Sequence, residues 1–261
     1  MNYTLITGAS SGIGLELARV FAANNHNLIL VARSTDKLEA LKTEIEKNSE
    51  VVAEVISADL STPDSAEKLF ETIKSKNLQV DVLVNNAGFG DHGLFLKSET
   101  KRNDDMILLN ILTLTKLTRL FLPEMVANKY GKILNVASTA AFQAGPLMSV
   151  YYATKAYVLS FSEGLSEELL NTGVTVTALC PGPTESNFMK AANASDMKLL
   201  DSMSIPTSKD VAEYGYKALM NDEVVAVHGI LNGVLAKGTS FVPRFLLRKV
   251  VKRLQSKRIK N

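Results

Sequence analysis

Hydrophobic residues fall along this chain in short unbroken runs, separated by stretches in which they recur every three or four positions. "NYTLIT" (2–7), "NLILVA" (27–32), "VVAEVISADL" (51–60), "VDVLVNNAG" (80–88), "GKILNVAS" (131–138), "GVTVTALCPG" (173–182) and "EVVAV" (223–227) have the length and apolar character of strands buried on both faces. Between the first two, "IGLELARVFAANN" sets Ile13, Leu17, Val20 and Phe21 at helical spacing, and further helical patterns cover about 35–47, 65–76, 104–128 and 150–171. Such alternation predicts an α/β fold, a doubly wound parallel sheet of about seven strands with helices on both faces. No Pro/Gly/Ser-rich linker or internal repeat breaks it, so residues 1–240 read as one domain, followed by a tail at 241–261. In such sheets ligands bind beyond the carboxyl ends of the strands.

Composition narrows the chemistry. The 261 residues are 46% apolar and 21% charged, the balance of a soluble globular protein. Cys180 is the single cysteine, which excludes an intrachain disulfide, and His26, His92 and His228 lack the spacing of metal ligands. No metal site, zinc enzyme or serine–histidine hydrolase is expected. "MNYTLITGAS" is unlike a signal peptide, and no apolar stretch approaches the roughly 20 residues needed to span a bilayer, so a cytoplasmic protein is expected. The net charge of +2 is uneven: residues 244–261 hold eight Lys/Arg and no acid, which leaves −6 for residues 1–243. The basic signal belongs to the tail, and the body has no nucleic-acid signature.

Two local patterns carry candidate chemistry. "TGASSGIG" (7–14) lies between the first strand and the first helix, where glycines let a backbone approach a pyrophosphate at a helix N-terminus. The spacing of Gly8, Gly12 and Gly14 is also compatible with a plain turn. At the end of the second strand Arg33 stands where an acid would hold a ribose hydroxyl; it suits a 2′-phosphate, or is a solvated surface arginine, while Asp36 reads as a helix cap. Tyr151 and Lys155 are four apart and share a helix face, so the ammonium could lower the phenol's pKa for proton exchange. That pair also arises by chance on exposed helices. Ser138 ends the fifth strand, where it is a candidate site residue or a turn cap, and Asn110 on its own reads as a buried polar residue bending a helix.

Together, "TGASSGIG", "NNAG", "NVAS", "YYATK" and "PGPTESN" resemble, in order and spacing, the short-chain dehydrogenase/reductase family over residues 3 to about 230. The resemblance implies a Rossmann-like NAD(P)-binding domain and hydride transfer between nicotinamide and a carbonyl or alcohol carbon. Ser138 would polarise the substrate oxygen, Tyr151 would give or take the proton, Lys155 would lower its pKa and hold the nicotinamide ribose, and Asn110 would support a proton-carrying water. Cofactor contacts would come from Gly8, Ser10, Ser11, Gly12, Ile13, Gly14, Arg33, Asp59 and Leu60, with Asp59 meeting the adenine. Asn86, Ala87 and Gly88 would pass the adenosine ribose, and Tyr151, Lys155, Pro181, Gly182, Thr184 and Ser186 would hold the nicotinamide end. Ser186 replaces the commoner threonine and keeps the hydroxyl. NADP(H) is the expected cofactor through Arg33, with NAD(H) left open. A homodimer or homotetramer through the helices at 104–128 and 150–171 is implied as well.

The segment 187–206 breaks the alternation where the family carries a substrate lid. Phe188, Met189, Met197, Leu199, Leu200 and Met203, with Leu147 and Met148, would line an apolar pocket for a medium-to-large small-molecule substrate, or are core contacts of a helical insertion. In the tail, Phe245, Leu246, Val250 and Leu254 fall roughly on one helical face among basic residues. A partly disordered or subunit-capping tail is favoured over a peripheral membrane contact. The competing functional class is a non-catalytic cofactor-binding regulatory or scaffolding protein on the same fold.

Overall fold

The computed structural model describes residues 2–194 and 205–256. Its strands are β1 (Asn2–Thr7), β2 (Asn27–Ala32), β3 (Ala53–Ser57), β4 (Gln79–Asn85), β5 (Gly131–Val136), β6 (Val174–Cys180) and β7 (Val225–Val227). They form one seven-stranded parallel sheet in the order β3-β2-β1-β4-β5-β6-β7. The chain therefore winds outward from β1 to β3, then crosses back to lay β4 beside β1. That reversal opens a crevice above their carboxyl ends.

Both faces of the sheet are covered, which explains the unbroken apolar strands. On one side α1 (Gly12–Ala23), α2 (Thr35–Asn48) and α8 (Ser208–Met220) bury Leu17, Phe21, Leu38 and Leu219 against Ile6, Leu30 and Leu134. On the other, α3 (Ser65–Ser75) and α5 (Leu114–Ala127) bury Leu69, Ile73, Leu117, Phe121 and Met125 against Leu5, Leu83 and Ile133. The helix α6 (Ser149–Glu168) covers the β5–β6 side through Val158 and Leu159.

Several expected boundaries shift for local reasons. β3 is shorter than 51–60 because Asp59 Oδ1 accepts from the Ser61 N–H at 3.0 Å and turns the chain. The helix expected at 104–128 starts earlier, with α4 (Thr100–Ile107), and passes through a π-turn at Leu108–Thr113 before α5. These 28 residues are long and apolar enough, by length and composition alone, to cross a membrane. This corrects the expectation that no apolar stretch approaches the length of a bilayer span; here α5 packs on β4 and β5, and α4 and the π-turn pack on α6.

After α7 (Phe188–Ala191) the lid residues Met197, Leu199, Leu200 and Met203 lie outside the described residues. Beyond β7 come two helices, α9 (Ile230–Gly238) and α10 (Arg244–Gln255). The first was not among the expected helices. The second gives residues 244–255 of the tail a helical form: Leu247, Val251 and Gln255, four apart, turn inward and pack beside Met148, Tyr151 and Tyr152 of the same chain.

Candidate active site

A cleft of about 700 Å³ opens at the carboxyl ends of β1, β4, β5 and β6 and gathers nearly all of the expected site residues. One end is built on the glycine loop. Gly8 and Gly12 sit at φ +69° and +57°, conformations that side chains rarely adopt, and Gly8 lies against Asn86 and Ala87. Gly14 does not line the cleft; it lies behind it, where an added methyl would collide with the Gly8 carbonyl oxygen and Asn86 Nδ2. Ser11 caps α1 in an extended conformation, its side chain makes no capping bond, and the first turn carries no acid. The first N–H groups of α1 are thus left without a side-chain acceptor. Thr7 fixes the loop: its hydroxyl donates to the Val84 carbonyl at 3.1 Å and accepts from the Asn86 and Ala87 N–H groups at 3.0 Å each.

Ser10, Ser11, Ile13, Leu60 and Gly88 line the same end. At its rim Arg33 is exposed beside Ser34 and Asp59. Burial works to raise the Asp59 carboxyl, but hydrogen bonds from Ser61 and the charges of Arg33 and Lys101 hold it below its ordinary value. Leu60 is buried, and its carbonyl accepts from the Thr113 hydroxyl at 2.9 Å, which ties this edge to the π-turn.

At the other end stand Ser138, Tyr151 and Lys155, all buried. Ser138 leaves the end of β5, accepts from the Ala140 N–H at 3.1 Å and donates to the Pro181 carbonyl at 3.4 Å. Lys155 donates to the Val136 carbonyl at 2.6 Å, and its Nζ lies 5.8 Å from the centre of the Tyr151 ring. Pro181, Gly182, Thr184 and Ser186 border this end. Asn110 lies behind the cleft wall. Its amide bonds both backbone groups of Phe89, at 3.2 and 2.9 Å, and donates to Thr154 Oγ1 at 3.1 Å. Its side chain therefore holds the loop after β4 against α6, one residue before Lys155.

The wall beyond Tyr151 contains Met148, Phe188 and Met189, as expected, with the Phe188 ring 5.3 Å from that of Tyr151. Leu147 is not among the lining residues, a correction; at φ +73° it occupies a turn, and its carbonyl accepts from the Gly93 N–H at 2.8 Å. Tyr152, which lies inside "YYATK" but was not singled out, and Gln255, which no motif signals, also line the wall, and Gln255 Nε2 donates to the Tyr152 hydroxyl. Glu99, Lys101, Arg102 and Asp105 form a charged rim that the sequence did not single out. The helical spacing of the tail pointed to Phe245, Leu246, Val250 and Leu254, which lie on the outward side of α10, and not to the inward Leu247/Val251/Gln255 stripe.

A family model described as short chain dehydrogenase matches residues 2–197. The chain belongs to the short-chain dehydrogenase/reductase family. Its relatives include the 17-beta-hydroxysteroid dehydrogenase type 3 of Mus musculus, 30% identical over 95% of this chain and 81% of that protein. The very-long-chain 3-oxoacyl-CoA reductase of Bos taurus is 33% identical over 69% of this chain and 58% of its own length. Among solved structures, a short-chain dehydrogenase from Sphingobium yanoikuyae in complex with NADPH superposes with a TM-score of 0.82 at 29% identity, covering 94% of this chain and 97% of that one. This short-chain dehydrogenase/reductase is thus an oxidoreductase acting between CH–OH and C=O groups with a nicotinamide cofactor.

The electrostatics of the pair differ from the sequence expectation. Burial is the largest influence on Tyr151 and pushes its phenol upward, opposed by the Ser138 hydroxyl. Lys155 is turned to Val136 rather than to the phenol, and burial pulls its ammonium down to about 8. A lysine whose folded pKa lies below its ordinary value penalises folding while charged, so stability should rise as pH climbs from about 8 towards 10. Relative to Lys155→Met, the wild type should gain about 2 kcal/mol over that interval in urea unfolding. Parallel pH curves for the two proteins would contradict the assignment.

Proposed function

We propose that the protein is an NADP(H)-dependent oxidoreductase that exchanges hydride with the carbonyl or alcohol carbon of a medium-to-large apolar substrate, with Tyr151 as the proton donor and acceptor. The observation that carries this reading is the placement of Ser138, Tyr151 and Lys155, buried together, in the cleft whose other end is the glycine loop.

The residues present fit a dinucleotide. Gly8 and Gly12 hold conformations that bring bare backbone to the cleft, and Gly14 lets α1 pack close behind them. The free N–H groups of α1 suit a pyrophosphate. Arg33 on the rim suits a 2′-phosphate, with no acid at that position to prefer a bare ribose. Asp59 and Leu60 would border the adenine, Asn86, Ala87 and Gly88 its ribose, and Pro181, Gly182, Thr184 and Ser186 the nicotinamide end. When bound, the nicotinamide supplies or accepts the hydride.

This chain's own groups would do the rest. The Ser138 hydroxyl, now shared between Pro181 and Ala140, can turn its proton to a substrate oxygen. Burial keeps Tyr151 protonated at neutral pH, as a donor to a developing alkoxide must be. Lys155 has three N–H donors; one is held by Val136, which leaves two for ribose hydroxyls and for the tyrosine side of the site. Asn110 positions α6 through Thr154. Met148, Phe188 and Met189 give the substrate end an apolar wall, and the names of the hydroxysteroid and very-long-chain acyl relatives support such a substrate. Ile107, Leu112 and Tyr157, exposed on α4, the π-turn after it and α6, support pairing of two copies across this face.

With NADPH and a panel of ketones, aldehydes and 3-ketoacyl thioesters, wild type should consume NADPH. Tyr151→Phe should lose about a hundredfold or more in kcat while binding NADPH normally. Undiminished turnover by the variant would remove Tyr151 from its role. Arg33→Asp should raise the Kd for NADPH by about tenfold or more and leave NADH nearly unchanged; equal losses would show that Arg33 does not read the 2′-phosphate.

A further inference from the structure

Helices of a soluble fold turn their apolar side inward, and α9 does the reverse. Ile230, Leu231, Val234 and Leu235 share one face of it and are 90%, 62%, 62% and 56% exposed, while the small Ala236 and the polar Asn232 face the protein. The connection to α10 adds Phe241, 88% exposed, and Val242. On α10, Leu246, Val250 and Leu254 form an outward stripe, four residues apart, next to the inward stripe of Leu247, Val251 and Gln255. A third exposed apolar segment, Leu94 to Leu96, is tied to the end of α10 by His92, whose Nε2 lies 2.8 Å from the Gln255 carbonyl oxygen. So much apolar surface on consecutive elements marks a contact face.

Charge selects the partner. No acid follows Glu223: residues 224–261 carry nine Lys/Arg, and since the whole chain is +2, residues 1–223 carry a net −7. Lys237, Arg244, Arg248, Lys249, Lys252 and Arg253 flank the exposed leucines, valines and Phe245. A second copy meeting this face with its own would oppose like charges. We infer that α9, the connection after it and α10 form a docking face for an anionic lipid bilayer, with the apolar residues at the level of the acyl chains and the basic residues at the headgroups. The helix laid on the lipid also lines the cleft through Gln255, so docking brings the apolar end of the cleft against a reservoir of apolar molecules.

The test is sedimentation of the full chain with phosphatidylcholine vesicles, with and without phosphatidylglycerol. Alongside it run two surface variants, Leu231→Asn/Leu235→Asn and Arg248→Glu/Lys249→Glu, with molar mass followed by light scattering. The full chain should sediment with the anionic vesicles and about tenfold or more weakly with neutral ones, and each variant should lose about tenfold or more at unchanged mass. A wild type that stays in the supernatant at both compositions, or variants that bind as well as it does, would overturn the inference. So would a fall in mass on Leu231→Asn/Leu235→Asn, which would give this face to a second copy. NADPH binding and turnover are separate readouts, and their failure would leave the docking result standing.

Discussion

A buried ammonium must be satisfied by the fold around it, and in this protein the Val136 carbonyl, at the last residue of β5, does so from 2.6 Å. Much else follows from that bond. Lys155 can reach Val136 only if α6 lies against the end of β5, which in turn sets Tyr151, one turn earlier, beside Ser138. Burial depresses the lysine and raises the phenol, so the pair resists both losing its proton from Tyr151 and keeping extra charge on Lys155. Such a site is costly to fold and is held by its surroundings rather than by its own contacts.

Those surroundings are polar and cross the sheet. Asn85 Nδ2 donates to Asn135 Oδ1 at 2.9 Å and to Thr118 Oγ1 at 3.1 Å, and Asn135 Nδ2 donates to Ser162 Oγ at 2.9 Å. This network joins β4, β5, α5 and α6 directly beneath the cleft. Above it Asn110, in the π-turn, locks the loop after β4 to Thr154. Buried polar ladders of this kind stabilise little net but permit one arrangement, since any slip would strand a donor. The glycine loop is fixed by the same means through Thr7, Asn86 and Ala87.

What the sequence disclosed and what it hid divide along physical lines. Strands buried on both faces leave unbroken apolar runs, so the sheet and its alternation with helices were readable, as were Gly8, Gly12, Ser138, Tyr151 and Lys155, which stand at fixed places relative to those runs. Leu147 and Met148 are neighbours with opposite outcomes because a left-handed turn separates them, and nothing in the residue types announces it. Gln255 reaches the cleft across more than a hundred residues of chain from Tyr152, a contact no local pattern encodes. The helix α9 was missed because its apolar residues follow helical spacing over only nine positions and have no buried partner.

The central claim is that the buried Ser138–Tyr151–Lys155 set carries out carbonyl–alcohol exchange. It is tested most directly by following deuterium from NADPH carrying deuterium at both C4 positions of the nicotinamide into the product alcohol under single-turnover conditions. The account predicts the label on the carbinol carbon with wild type and almost none with Tyr151→Phe at matched cofactor occupancy. Equal incorporation by the two proteins would contradict it, as would an alcohol formed without label.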